Sequence, residues 1–461
     1  MDASAETAQA PALAARLGRF AASLRTSDVP AGVADAVTLR VLDVLAAAAT
    51  GVRAGTHVGL LGLLPGDGPI AIWGTGAARG LRDGALINSA LAHSTYFEDG
   101  SRYTGGHPSS AVIPAAMALA QARGASGARL VAAIAAGYEV FLRLGRAIYP
   151  STVQRGFQST AILAAPATAA AAAVLLELDD TQAAHAIAIA CSHGAGLKEA
   201  LKSADSQPLQ VGRSSEGGLL SALYAAQGAR GAPAVIEQGF LKAFAQDAQA
   251  APVAEALGQR WHIDETYLKA HGGCRGNHAP VDAVADLARG HALRANQIES
   301  IDVRVDTVTL AAAIEAPRDG DQAQFSIGFS IAVMLCAGDA TPARYTDAML
   351  ADPAVRALMA RIRVRADAAL DEGYPLRRGA VAVVRTTDGR VLEQSLDHAR
   401  GEPENPMPRA EVQRKFELAA GPVYGAATPR LRDLVLSLPS LPELASLGAL
   451  LQPSTTLSSK Q

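Results

Sequence analysis

The chain has 461 residues with 41 basic and 44 acidic side chains, a formal charge of −3, so a polyanion such as nucleic acid is an unfavourable partner. Hydrophobic residues make up 49% but aromatics only 4%, which means that Ala, Leu, Val and Ile must fill the core of a helix-dominated protein. The three cysteines, Cys191, Cys274 and Cys336, are far apart, which excludes a disulfide framework and a clustered zinc or iron–sulfur site.

The first twenty residues lack a basic segment followed by an unbroken apolar run, so no secretory signal is expected and a cytoplasmic location is the default. From Pro11 to Gly51 apolar residues recur at helical spacing around Pro30 and Gly32, predicting two antiparallel helices. Helical tracts are predicted at Gly80 to His93, Ser110 to Arg123, Ser126 to Tyr149, Thr160 to Leu176, Thr181 to Cys191 and Glu216 to Gln227. The most apolar of them, Ala161 to Leu176, is shorter than the roughly 20 residues that a membrane helix needs. No membrane association follows.

The pattern changes near Trp261. QIESIDVRVDTVTL at 297 to 310 and RIRVRAD at 361 to 367 alternate as half-buried strands do, and AVAVVRTTDGRVLEQSLD predicts a hairpin turning at Asp388-Gly389. After the Pro-rich stretch 401 to 408 the chain turns helical again through Glu411 to Ala420 and Pro429 to Leu438. The expected architecture is mostly α: an all-helical domain over 1–264 and 401–461, with 265–400 inserted as a smaller α+β lid.

Chemistry concentrates in three segments. In HSTYFEDGSRYTGGHPSSAVIPAAM, from His93 to Met117, Glu98, Asp99, Arg102 and Tyr103 stand between glycines, and Pro108 starts a helix with His107 at its positive end. In KAHGGCRGNHAPVD, from Lys269 to Asp282, Arg275 and His278 stand on a second Gly-rich loop before a helix. Each loop thus offers an imidazole as acid or base and a guanidinium for an anion. The bland alternative is a histidine capping its own helix in a polar surface loop. A third segment, 192 to 218, holds Lys198, Lys202, Gln207, Gln210 and Arg213 and could line a polar pocket. It lacks a phosphate-loop pattern, and GTGAARG at 74 to 80 lacks the strand context of a dinucleotide site.

These segments in this order resemble the MmgE/PrpD family, which includes 2-methylcitrate dehydratase, cis-aconitate decarboxylase and iminodisuccinate epimerase. The carrying stretches are EDG with GHPSSAVIPA, GYEVFLRLGRAI at 137 to 148, RGFQSTAILAAPATAAAA at 155 to 172, PLQVGRSSEGGLLSALYAAQGARG at 208 to 231, LKAHGGCRGNHAPVDA at 268 to 283, AQFSIGFSIAVMLCAGD at 323 to 339, and GEPENPM followed by KFELAA. The resemblance implies a helical domain with an α+β lid, a homodimer, no metal or organic cofactor, and chemistry at a carbon next to a carboxylate. His107 and His278 stand at histidine positions of the family. The family's acid and Thr in DFDDT fall on Tyr96 and on Gly100 or Ser101, the His of GFHPT on Gln158, the Lys and His of KPLHIG on Gln207 and Gln210, and the Tyr of FSxxY on Phe329.

Replacing one Lys and two His by Gln removes positive charge but keeps hydrogen-bond donors, so a ligand less anionic than a tricarboxylate is expected. Glutamine cannot act as a base, which leaves proton transfer to His107, His278, Tyr103, Lys202, Glu98 or Asp99, with the two histidines foremost. Arg102 and Arg275 are expected to support an enolate-like intermediate, and Tyr96, Gln158, Gln207, Gln210 and Phe329 to line the substrate. The expected activity is dehydration, isomerisation or decarboxylation of a small carboxylic acid. The alternative is a repurposed member that binds a carboxylate metabolite without turnover.

Overall fold

The computed structural model describes residues 12–202 and 206–453. The first helices, Leu13–Ser23 and Ala31–Arg53, pack into a bundle with Leu81–His93, Pro108–Arg123, Gly127–Ile148, Ser159–Leu175, Asp180–Ala190 and Ser206–Ala226. Composition explains how the helices approach one another: every residue of Ser159–Leu175 is buried, and most are alanine. Small side chains let neighbouring backbones come close, so apolar area is removed from water without bulky residues. Among the described residues no helix is long and apolar enough to cross a membrane.

The helix Ser206–Ala226 begins ten residues before the start expected at Glu216. Pro208, Gly212 and three serines disguise its first half, but burial of Val211, Ser214 and Ser215 in the bundle outweighs their weak helical preference. Consequently Gln207 and Gln210 lie on a helix rather than on a loop.

A two-residue ladder pairs β1 (Ile70–Ala71) with β2 (Ala78–Arg79). The main sheet has four strands, β3 (Ile298–Val305), β4 (Ile362–Ala366), β5 (Ala380–Thr386) and β6 (Val391–Leu396), in the order β4-β3-β5-β6. β3 runs parallel to β4 and antiparallel to β5, with Val303 opposite both Val364 and Ala382. The strand expected to reach Leu310 ends at Val305, and the carboxylate of the next residue, Asp306, accepts from the Thr309 backbone N–H at 2.7 Å and caps a short helix. Helices His278–Gly290 and Ile327–Ala337 pack with this sheet to form a core of its own, from Ala279 to Ala399. A second and larger core runs from Leu13 to Leu451 and takes in the tail helices Arg409–Tyr424 and Thr428–Leu436. The tail therefore returns to the helical body after the sheet domain has been completed.

Candidate active site

Two helices meet at the site. Leu81–His93 ends with His93, and His107 is the N-cap of Pro108–Arg123, so the thirteen residues between them form a loop pinned at both ends. The lid grips this loop: Gly100 and Tyr267 exchange backbone hydrogen bonds of 3.0 and 2.8 Å. Any side chain at residue 100 would collide with the Tyr267 ring, so glycine permits the contact.

Glu98 and Asp99 are fully buried but differently used. Glu98 Oε1 lies 2.6 Å from His93 Nδ1 and 3.6 Å from His107 Nδ1. Burial by itself raises the Glu98 pKa, but the charges of His93, His107 and Lys269 and the bond to His93 outweigh this and hold it at about 2. Asp99 accepts from the Ser109 N–H at 3.1 Å and the Tyr138 hydroxyl at 2.9 Å, and burial pushes it up to about 6.

The tautomers of both imidazoles follow from their partners. His107 Nδ1 lies 2.6 Å from the Asp99 carbonyl, which can only accept, so the proton sits on Nδ1 and Nε2 keeps its lone pair. Burial lowers the His107 value to about 4 against the counteracting charge of Glu98. His107 is therefore neutral at neutral pH, the form required of a base.

At His93, Gln158 Nε2 approaches Nε2 at 3.3 Å and Gln207 Nε2 at 3.0 Å. Gln158 cannot turn round, because its Oε1 accepts from Ala161 N at 2.6 Å as a helix cap. Its amide N–H thus points at His93 Nε2, and His93 donates through Nδ1 to Glu98.

Lys269 supplies the cation. It is 3% exposed, and its ammonium donates to the Tyr96 carbonyl and to the Gly273 carbonyl, leaving one N–H for a ligand. Burial outweighs the opposing charge of Glu98, so its proton affinity is lowered. Tyr96 adopts a positive φ of 52°, a conformation unusual for a bulky residue, which turns its carbonyl to Lys269 and its ring towards His93 at 6.1 Å between centroids. Burial raises its phenol well above its ordinary value, keeping it a proton donor. His278, the first residue of its helix, is buried with Nε2 unpartnered and its ring 5.4 Å from His271. Burial and the neighbouring His271 hold it well below the usual imidazole value.

The structure thus gathers Tyr96, Glu98, Asp99, His107, Gln158 and Gln207 around His93 and Lys269. His278 lies near enough to Lys269 to feel its charge, and the remaining expected residues are engaged elsewhere. Arg102 binds Glu404, and Arg275 donates to Glu402 at 2.6 Å, so both guanidiniums are engaged by carboxylates rather than held free for an enolate. Tyr103 lies under the Arg146 guanidinium, 3.9 Å from its ring centroid. Gln210 instead accepts from the Leu197 N–H. Phe329 is fully buried in the lid core against Tyr345, 5.5 Å between ring centroids. Lys202 ends the short helix Lys198–Lys202, and its side chain lies outside the described residues.

Sequence alone assigns no role to His93 or Lys269. The signal for His93 is its spacing of five residues from Glu98, and for Lys269 its place directly ahead of the Gly-rich loop. Nothing in the sequence points to Lys415, which reaches in from the tail to Asp43 at 2.5 Å and the Phe97 carbonyl at 2.6 Å and supports the loop from below. Among the described residues no group of three or more His, Cys, Asp and Glu side chains is arranged to hold a metal ion.

Comparison with known proteins gives two domain models in order: the MmgE/PrpD N-terminal domain matches residues 15–252 and the MmgE/PrpD C-terminal domain residues 271–438. A cis-aconitate decarboxylase of Aspergillus terreus is 28% identical, with 97% of each chain covered. A cis-aconitate decarboxylase-like protein of Aspergillus oryzae is 26% identical over 95% of this chain and 96% of its own. The human cis-aconitate decarboxylase is 26% identical over 80% of this chain and 79% of its own. With the two domain models matched in sequence order, each over its own half of the architecture, the chain belongs to the MmgE/PrpD family.

Proposed function

We propose that the protein is an enzyme that removes or adds a proton at the carbon next to a carboxylate of a small carboxylic acid, in a dehydration, isomerisation or decarboxylation. The observation that carries this reading is the buried His107, whose proton is fixed on Nδ1 by the Asp99 carbonyl and whose Nε2 lone pair is left for a substrate. Similarity to cis-aconitate decarboxylases supports a lyase-type reaction on a carboxylate.

In the forward direction His107 Nε2 takes the proton from carbon and the bonding pair moves into the adjacent carboxylate or carbonyl. The Lys269 ammonium faces the resulting oxyanion, a role that Arg102 and Arg275 cannot fill while bound to Glu404 and Glu402. Tyr96 or the imidazolium of His107 returns the proton to carbon in an isomerisation or gives it to the departing hydroxyl, which leaves as water, in a dehydration; in a decarboxylation carbon dioxide leaves first, the electron pair stays on carbon, and the same donor protonates that carbon. Gln158 and Gln207 offer neutral amides, which supports a ligand with fewer negative charges than a tricarboxylate.

The test measures α-proton exchange in deuterated water and turnover on a panel of small mono-, di- and tricarboxylates. His107→Gln should lower the rate by about 10²–10⁴-fold with the thermal midpoint unchanged, and Lys269→Met should lower it comparably. Parental rates in both variants on a confirmed substrate would sink the assignment.

The neutral Gln158 and Gln207 also favour a second reading, a carboxylate-binding protein without turnover. Saturable binding across the panel, with no exchange or turnover by the parent, selects it. We further propose a homodimer, for which sedimentation should return twice the chain mass of 47.2 kDa.

A further inference from the structure

The turn that leads to His107 also borders a cavity. About 840 Å³ opens between the helical body and the lid, with Arg102, Tyr103, Arg146, Tyr149, Arg260 and Tyr374 in its wall and none of His93, His107 or Lys269. Tyr103 therefore faces this space rather than the imidazoles, and its ring carries the Arg146 guanidinium on one face.

The cations here are incompletely used. Arg146 and Arg260 converge on one carboxylate, Glu265, which lies 2.8 Å from Arg260 Nη2. Among the described residues that is the only hydrogen-bonding or ionic contact of either guanidinium, and each has five N–H donors. Arg102, 7% exposed, has a buried Nε without an acceptor. Lys198 lies in the wall with no carboxylate partner among the described residues, and the one acidic side chain in the wall is the exposed Glu255. Planar guanidiniums that keep N–H donors to spare beyond Glu265, set at a cavity that excludes part of the solvent, suit a bidentate oxyanion. The tyrosine rings supply flat apolar walls for whatever carries it.

We propose that this cavity is an anion-binding site separate from the one at His107, and that it takes a carboxylate or phosphate group borne on a planar aromatic or unsaturated body. The anion would lie across the Arg146 and Arg260 forks, with the planar body against Tyr149 and Tyr374.

Calorimetric titration of the full-length protein with benzoate and with phenyl phosphate tests this, with acetate and inorganic phosphate as the arms without a ring. At least one ring-bearing probe should bind saturably and more tightly than its ringless counterpart, and the tighter of the two identifies the head group. Arg260→Gln should weaken binding by about tenfold, the loss of one charge-assisted pair. Val308→Glu, at a lid position 45% exposed in the same wall, should do likewise by adding a negative charge without removing any arginine. An unchanged thermal midpoint confirms that each variant folds, and His107→Gln should bind the probe as the parent does. The proposal fails if no probe saturates, if both wall variants bind as the parent does, or if His107→Gln abolishes binding while the wall variants keep it.

Discussion

Asp99 and Glu98 are adjacent, equally buried, and pulled in opposite directions. At Asp99 burial outweighs the charge of Arg40 and the neutral donors Ser109 and Tyr138, and it rises from its ordinary 3.8 to about 6, whereas at Glu98 the charges of His93, His107 and Lys269 outweigh burial and it falls from 4.5 to about 2. The folded protein therefore holds more protons at Asp99 between those pH values than the unfolded chain does, so Asp99 reduces stability as pH rises from about 4 to 6. Glu98 works the other way: its contribution is present above 4.5 and is lost as pH falls towards 2. Asp99→Asn keeps an acceptor for Ser109 N–H and a polar partner for Tyr138, while removing the titration. Denaturant titrations should show the variant gaining roughly 2–3 kcal/mol relative to the parent between pH 4 and pH 7. Parallel stability curves would contradict the buried assignment. On activity, the basic form of His107 requires that kcat/KM fall only as pH drops through about 4.

Helix contacts depend on small residues more than on large ones. At Gly218 in Ser206–Ala226 a Cβ would collide with the Ala165 carbonyl and meet Thr168 Cβ at 2.9 Å, so two helices touch where only glycine fits. Gly218→Val should cost about 3 kcal/mol by chemical denaturation, at the upper end for overpacking, because both helices must separate. Gly59, in the helix Thr56–Leu63, faces open space, with no atom within 4 Å of where an alanine methyl would sit, and Gly59→Ala should gain about 0.5–1 kcal/mol. Similar gains at the two positions would show that helix propensity, not close approach, governs them. Periodicity locates the helix holding residue 165 to within a residue at each end, yet it misses the first half of the helix holding Gly218. Proline and glycine read as breakers until the neighbouring helix that requires them is known.

Body and lid have separate cores, and charged residues in the returning segment tie them together. Glu402 binds Arg275 of the lid loop at 2.6 Å and lies 3.7 Å from Arg102 of the body, while Glu404 takes Arg102 directly. Glu402→Gln leaves Arg275 without its carboxylate in a site where Glu402 is 3% exposed, at a cost of about 3–5 kcal/mol locally. Hydrogen exchange should rise at Tyr267 to Asn277 before it rises in the helix Ser159–Leu175. Uniform exchange throughout the chain would mean that the segment does not act as a clamp between the two cores.

Sequence by itself determined the mostly helical body, the strand-rich insertion and its hairpin, and the loops that carry His107 and His278. These follow from local rules: apolar periodicity, turn chemistry at Asp388-Gly389, and glycine beside polar residues. Only the tertiary structure decided which of those polar residues share a site. Arg102 and Arg275 carry the right charge but are neutralised by Glu404 and Glu402, more than a hundred residues away, whereas Lys269 and His93 are gathered into the candidate site by burial beside Glu98. Charge is written in the sequence, but its availability depends on long-range partners and on the loss of water, and neither can be read from spacing along the chain.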